Sequence, residues 1–404
     1  RYCLDGQYSK YGRPMDDSIP AQLGRYWGIP VAPFPVEIEG GNVILDGTGK
    51  GFGSKRIWEQ NASYTPEELE TLFKTYFGLQ NFHFLDILQN SGGGIWMHVD
   101  MYMKAIDNQT LLVSQYPSFL PDFQAVENIA AYLASLTNGL GVPYTIVRIP
   151  APPKEDGTYA TTLNDEMRTY TNALTINGVV LIPAYNHPLD NTAKEIYQEL
   201  MPGYEIRMID ARTLTPLYGA IHCITKEIAK PVYLRIVHSK LNAEQTYNSS
   251  VNISCRIYGQ SQPQSVSLFY KVLSPGVWQS VPMQSGPLEY TSTISGLLPG
   301  DTLSYYIRTI LDADTVFEPL PAAKGPHTFW FSPSTAASQH EIPPSFHVMA
   351  ESNRISYWIT VSGEMASGVI EVFDLNGRRI YSENISGTGD RKSTRLNSSH
   401  ESPS

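Results

Sequence analysis

The sequence has little cysteine, no long apolar run and a shortage of positive charge. Its 404 residues include 3 cysteines, which are too few for a disulfide framework. No apolar run approaches the ~18 residues that a membrane-spanning helix needs. The formal net charge is −10, and no basic patch is interleaved with aromatic residues, so nucleic acid is not an expected partner. An acidic balance mildly favours a cationic substrate.

Sequence patterns typical of metal and phosphate binding are also missing. The histidines do not have the spacing of zinc ligands. No glycine-rich loop precedes a helix in the way that phosphate sites require, so no cofactor is expected. Hydrophobic residues make up 42% of the chain and charged residues 17%, as in ordinary folded proteins. The length is sufficient for two or three domains.

Three short motifs carry side chains that can take part in catalysis: EGGN at 39–42, MHVD at 97–100 and GAIHCITKE at 219–227. A thiol, an imidazole and carboxylates are the groups needed for covalent catalysis on a cationic carbon. Alternation along a strand predicts that His98 and Asp100 share one face. By the same reasoning, His222 beside Cys223 is expected to point to the opposite face and to be structural.

A weak repeat organises the first 230 residues. A helical pattern, a glycine and a β-rich run recur, with the glycines Gly78, Gly141 and Gly203 about 62 residues apart. We expect each glycine to cap its helix in the left-handed conformation. An earlier unit around Gly28 has a less distinct helix. EGGN follows the first predicted strand, MHVD the second and GAIHC the fourth. If the strands are arranged about a common axis, the loops that follow them meet at one end of that axis.

Taken together and in this order, the motifs resemble the guanidine-modifying superfamily, most closely bacterial-type peptidylarginine deiminases and agmatine deiminases. The resemblance covers residues 1–232 and implies a pentein-like α/β propeller. The family's propeller has five modules and four are visible here, so the first is expected upstream of Arg1. The family's second guanidinium-binding aspartate is expected there too, because Asp5 lies in the wrong context. The chain as given is therefore expected to bind substrate poorly.

The resemblance also implies roles for single residues. Cys223 is the expected nucleophile, His98 the general acid and base, Asp100 a guanidinium-binding carboxylate, and Glu39 the residue that orients His98. Arg13 is expected to bind the carboxylate of an arginine at the C-terminus of a peptide substrate. Further candidates for substrate binding are Asn42, Asn172, Asn177 and Gly219. The chain departs from its relatives at Tyr11, Met97 and Tyr218, where they often carry arginine, an acidic residue and glycine.

The pattern becomes all-β from about Ser249. Residues 238–334 resemble an immunoglobulin-like or fibronectin-like β-sandwich, in which Cys255 is expected to be a buried free thiol. Residues 346–389 resemble a truncated sorting domain for type IX secretion, with a hairpin turn at Asn376-Gly377. The peptide DRKSTRLNSSH matches the translation of a common sequencing adapter, so residues 390–404 are interpreted as an artefact.

The predicted function is hydrolytic deimination of arginine in a peptide or protein substrate, giving citrulline and ammonia. The predicted location is secreted or cell-surface, and export favours peptide substrates. One alternative is an agmatine deiminase that acts on a small free guanidine. Another is a non-catalytic surface or binding protein with a decayed propeller. The oligomeric state stays open.

Overall fold

The computed structural model describes most of the chain up to Phe331 and a set of strands after it. The described residues are 3–7, 15, 18–90, 97–225, 227, 233–272, 276–287, 289–331, 345–351, 354–360, 368–373, 379–385 and 393–394. The chain forms two compact units, Arg1–Ser334 and Thr335–Ser404. Among the described residues, no helix is both long and apolar enough to cross a membrane.

A sheet-and-helix unit recurs through the first part of the chain. After a parallel strand pair, each of three successive three-stranded sheets has its first strand antiparallel to the second, and its second parallel to the third. The strands are β1 Cys3–Gln7, β2 Val31–Glu37, β3 Ile44–Leu45, β4 Lys50–Ser54, β5 Asn81–Leu85, β6 Met103–Ala105, β7 Thr110–Gln115, β8 Thr145–Pro150, β9 Leu174–Ile176, β10 Val179–Ala184 and β11 Glu205–Asp210. The sheets repeat as predicted, whereas their closure into a propeller stays a prediction.

Helices connect the parallel strands of these units. They are α1 Ile19–Trp27, α2 Arg56–Gln60, α3 Pro66–Phe77, α4 Phe123–Ala134 and α5 Leu189–Leu200. A capping box begins α3: the Thr65 hydroxyl accepts from the backbone N–H of Glu68, whose carboxylate accepts from the N–H of Thr65. Such reciprocal bonds satisfy amides that the first helical turn leaves unpaired.

The predicted glycine caps are correct for only some of the helices. Gly28 and Gly78 cap α1 and α3 with φ of 62° and 68°. The prediction is wrong for Gly141 and Gly203. Helix α4 ends at a cap on Ser135 and α5 at one on Met201, and both glycines take positive φ in the following loops.

Each helix packs over the sheet of its own unit. Leu69 and Phe73 of α3 are fully buried beside Phe34 and Phe82, and the rings of Phe73 and Phe82 stack at 4.0 Å. Burial of one such side chain contributes about 1.5–3 kcal/mol. Separate cores lie beneath α4 and α5. The cores hold the helices against the sheets. The loops that follow the strands can therefore carry functional side chains.

Residues 234–331 form two β-sheets around a shared core. One sheet has the order β12-β14-β18-β17 and the other β13-β21-β19-β15-β16, with β20 beside β19. The strands are β12 Leu234–His238, β13 Glu244–Gln245, β14 Ser250–Gly259, β15 Ser265–Val272, β16 Gln279–Pro282, β17 Gln284–Ser285, β18 Tyr290–Ser295, β19 Thr302–Leu311, β20 Asp314–Glu318 and β21 His327–Phe331. Cys255 is buried and free, as predicted. The immunoglobulin-like assignment stays a prediction.

These sheets contact the repeat region within the same compact unit. The Lys240 ammonium pairs with the Asp107 carboxylate at 2.6 Å, and the Asn108 amide donates to the carbonyl of His238 at 2.7 Å. The domain boundary near residue 232 stays a prediction.

The second compact unit contains five described strands: β22 Ser345–Glu351, β23 Arg354–Thr360, β24 Gly368–Phe373, β25 Arg379–Ile385 and β26 Ser393–Thr394. Strands β22 and β23 pair antiparallel, as do β24 and β25. The predicted turn at Asn376-Gly377 lies outside the described residues, and so does most of the segment interpreted as an adapter. The resemblance to a sorting domain stays a prediction.

Candidate active site

Loops that follow the last strand of each unit assemble the candidate site. Glu39 and Asn42 follow β2, His98 and Asp100 follow β5, and Cys223 follows β11. Asn172 follows β8, so it completes the series. The expectation that MHVD and GAIHC are strands is wrong. His98 caps a 3₁₀ turn at Val99–Met101, and Cys223 lies in another at His222–Ile224.

The Cys223 thiol lies between an amide and a carboxylate. The Asn172 Nδ2 donates to Sγ at 3.0 Å, and the Asp100 Oδ2 lies 3.5 Å from Sγ on another side. Although the residue as a whole is exposed, burial of the sulfur and the nearby Asp100 charge raise the pKa of Cys223 to about 12. The thiol is therefore neutral near pH 7.

Asn172 fixes the nucleophile from a separate loop. Its Oδ1 accepts from the backbone N–H of His222 at 3.0 Å and of Cys223 at 3.3 Å. Its Nδ2 donates to the sulfur, an interaction that lowers the pKa of Cys223 against the larger opposing effects. Asn172 was predicted to border the site, and the structure places it in direct contact with the nucleophile.

His98 and Glu39 form a buried pair. His98 Nε2 donates to Glu39 Oε2 at 2.5 Å, and the side chains are 12% and 6% exposed. A carboxylate in this position orients the imidazole. The geometry agrees with the orienting contact expected for Glu39. The second oxygen of Glu39 is buried without a hydrogen-bond partner in the described part of the chain.

Asp100 connects the thiol to His222. Its Oδ2 accepts from His222 Nδ1 at 2.8 Å and faces the Cys223 sulfur, while its Oδ1 is buried without a partner among the described residues. The expectation that His222 points away from the site is therefore wrong, whereas its structural role stays a prediction. Alternation along a strand does not apply, because a 3₁₀ turn rotates adjacent residues by about 120°.

Two glycines permit the close approach of these loops. A Cβ on Gly41 would lie 2.7 Å from Asp100 Oδ2 and 2.9 Å from His98 Nδ1. A Cβ on Gly219 would lie 2.8 Å from the Cβ of Cys223. Gly41 was not predicted as a site residue, although EGGN contained the signal. Gly219 is brought against the nucleophile.

The departures from the family pattern show backbone conformations that favour glycine. Tyr218 has φ of 66° and ψ of 32°, and Met97 has φ of 42°. The left-handed conformation costs a residue with a side chain about 1–2 kcal/mol. The tyrosine before Gly219 thus occupies a backbone conformation that glycine tolerates best.

Comparison with known proteins assigns the family. Residues 2–229 match the model for the Porphyromonas-type peptidyl-arginine deiminase. The chain belongs to this family of guanidine-modifying deiminases. It is 26% identical over 226 residues to a Streptomyces avermitilis protein named provisionally as an agmatine deiminase, covering 53% of this chain and 64% of that protein. It is 24% identical over 214 residues to the agmatine deiminase of Pseudomonas syringae pv. syringae, covering 48% and 57% respectively.

A solved structure supports the fold. A crystal structure provisionally named as a peptidyl-arginine deiminase aligns with a TM-score of 0.51 and 21% identity, covering 57% of this chain and 70% of that one. The chain spans less than two thirds of the length of the Streptomyces and Pseudomonas relatives. The deiminase fold is therefore shown for the aligned part.

The remaining predicted site residues lie elsewhere. Asn42 is fully buried, and its Oδ1 accepts from the N–H groups of Ser54 and Val99, at 2.9 and 3.2 Å, so it joins the first two deiminase loops. Asn177 is exposed in the two-residue turn between β9 and β10, with φ of 51°. Hairpin geometry explains this asparagine, and the described contacts do not bring it to Cys223. Arg13 and Tyr11 lie outside the described residues.

Proposed function

We propose that this deiminase hydrolyses arginine side chains in peptides or proteins to citrulline. The Cys223 sulfur adds to the guanidinium carbon, and the tetrahedral adduct expels ammonia as the departing nitrogen takes a proton. The resulting S-alkylthiouronium then reacts with water, releasing citrulline and returning the proton to sulfur. Arginine and one water are consumed, and citrulline and ammonium are formed.

The single observation that carries this proposal is the 3.5 Å contact between Cys223 Sγ and the Asp100 carboxylate. An anion beside a thiol opposes thiolate formation, so the pair is poorly suited to neutral substrates. A guanidinium bound against both groups offsets the carboxylate charge. Unit charges 4 Å apart interact by about 4 kcal/mol at an effective dielectric constant of 20. That energy is enough to move a thiol pKa by about three units.

His98 is suited to the proton transfers of this scheme. The buried Glu39 carboxylate holds its ring at 2.5 Å, and in this scheme the imidazolium protonates departing ammonia. After ammonia leaves, the neutral imidazole can take a proton from the attacking water. His222, which also contacts Asp100, fixes that carboxylate from the other side.

The surroundings of the thiol support a peptide substrate. Leu217 and Ile224, on either side of Cys223 in sequence, are 78% and 65% exposed. Exposed apolar side chains near a nucleophile provide contacts for residues next to a target arginine. Agmatine deiminase activity is a second candidate, favoured by the name of the Pseudomonas relative. We also propose that the protein is exported, on the resemblance of residues 346–389 to a sorting domain.

The test uses protein that includes the module and the aspartate expected upstream of Arg1. It measures the ureido product from a peptide ending in arginine, a peptide with an internal arginine, and agmatine. Cys223→Ser is compared with Cys255→Ser, which removes the buried thiol of the β-sheets. We expect peptide turnover in the wild type and in Cys255→Ser, and none in Cys223→Ser. Turnover of agmatine alone would replace the proposal with the second candidate. Absence of product from all three substrates would favour a non-catalytic binding protein.

A further inference from the structure

A cavity of about 370 Å³ adjoins Asp100. The first strands of the three three-stranded sheets, β3, β6 and β9, line it together. Its lining includes Ile44, Asp100, Lys104, Thr175, His222 and Glu227. Lys104, on β6, lines the same cavity as Asp100, and the deimination scheme gives it no role.

Lys104 contacts the loop that carries Asn172, the residue whose side chain binds the Cys223 thiol. Its Nζ donates to the carbonyl of Ala173 at 2.8 Å. Ala173 directly follows Asn172, whose amide accepts from the backbone of His222 and Cys223 and donates to the Cys223 sulfur. The hydrogen bond from the Lys104 ammonium therefore restrains the backbone next to Asn172, whose side-chain amide contacts the Cys223 thiol.

The charges around Lys104 also involve the site. On the cavity wall the described titratable groups facing it are Asp100, His222 and Glu227. Burial of the ammonium lowers the pKa of Lys104 to about 8, against the opposing effects of Glu227 and Asp100. The Lys104 ammonium interacts favourably with the Asp100 carboxylate, and that carboxylate in turn raises the pKa of Cys223.

We propose that Lys104 is a positioning residue for the nucleophile: its ammonium holds the Ala173 carbonyl, and through Asn172 it sets the position and ionisation of the Cys223 thiol. The inference rests on the proposed function for the role of Cys223. A charged donor makes a stronger hydrogen bond than a neutral one, so the restraint is greatest while Lys104 is protonated. Loss of that proton would weaken both the restraint and the interaction with the Asp100 carboxylate.

The test measures alkylation of Cys223 by iodoacetamide between pH 6 and pH 10, with the modified peptide quantified by mass spectrometry. Lys104→Met removes the charge, Lys104→Arg keeps it, and Lys240→Met removes an ion pair remote from the thiol. At pH 7 we expect Lys104→Met to react about three- to tenfold more slowly than the wild type, as when an intramolecular hydrogen bond of typical net strength is lost. Lys240→Met should match the wild type.

The pH dependence gives a second readout. Above a pH of about 8 the wild type loses its own Lys104 charge, so its rate should approach that of Lys104→Met. Lys104→Arg should match the wild type at pH 7 and exceed it at pH 10. Equal rates for Lys104→Met and the wild type at every pH would overturn the proposal. If Lys104→Met does not fold, equal alkylation rates for Lys104→Arg and the wild type at pH 10 would overturn the proposal.

Alkylation requires no guanidine substrate, so the two proposals fail separately. A shifted alkylation profile without ureido product would refute the deiminase activity and retain the positioning role. Normal turnover with an unchanged profile would refute only the positioning role.

Discussion

Gly41→Ala offers the sharpest test of how closely the loops of the site approach. The new Cβ would lie 2.7 Å from Asp100 Oδ2 and 2.9 Å from His98 Nδ1, whereas ordinary contact begins at 3.4 Å. The loops would have to separate by about 0.7 Å at Asp100 and 0.5 Å at His98, by subtraction. Both atoms belong to groups that the proposed mechanism needs in fixed positions.

The expected result is a large loss of activity with a modest loss of stability. A displacement of about 1 Å at a catalytic group can cost about a hundredfold in rate. We therefore expect the kcat/KM of Gly41→Ala to fall about ten- to a hundredfold. Overpacking of this kind destabilises proteins by about 1–3 kcal/mol. Ureido-product kinetics and urea unfolding measure the two effects on the same preparation.

Gly78→Ala is the matched control. A Cβ added at Gly78 would meet no atom within 4 Å, but the φ of 68° at this position disfavours alanine. This variant should lose about 1 kcal/mol of stability with kcat/KM unchanged. The reasoning is refuted if folded Gly41→Ala keeps kcat/KM within about twofold of the wild type, since the predicted displacement would then have no catalytic consequence.

Three further predictions follow from the described contacts. Asp100→Asn should abolish turnover yet speed Cys223 alkylation at pH 8, because the carboxylate raises the pKa of the thiol; slower alkylation would contradict this electrostatic account. Tyr218→Gly should raise the free energy of unfolding in urea by about 1 kcal/mol, since glycine tolerates φ of 66°, and an unchanged midpoint would show that the tyrosine is not strained. Burial lowers the pKa of His238 from 6.5 to about 3, so the free energy of unfolding should be at its full value above pH 6.5 and should decline as the pH falls toward 3. The total decline should be several kcal/mol, at about 1.4 kcal/mol per pKa unit. In urea titrations, His238→Gln should show a smaller decline over the same pH range.

Local signals predicted much of the fold. Helix α3 follows from Thr65, Pro66 and Glu68, because the capping box and the proline at the first helical position act within one turn. The alternating segment at Ser250–Gly259 forms β14 with those bounds. The ends of α4 and α5 were missed, since a glycine in a later loop has the same sequence signal as a helix cap.

The site was predictable in its residue types but not in its detailed contacts. The motifs contained Cys223, His98 and Asp100, which the structure places in neighbouring loops. The contact of His222 with Asp100 depends on a single 3₁₀ turn, too short to leave a periodic signal. The position of Lys104 depends on three strands from separate sheets, so no local pattern could indicate the cavity beside it.

The two oxygens of Asp100 have an energetic consequence for the free protein. One accepts from His222, while the other is buried without a partner among the described residues. An unsatisfied buried polar atom costs about 1–3 kcal/mol, and more when it is charged. A guanidinium ligand that donates to this oxygen would recover that energy, so ligand binding should raise the melting temperature. The folded state therefore retains a binding preference for cations at the expense of its own stability.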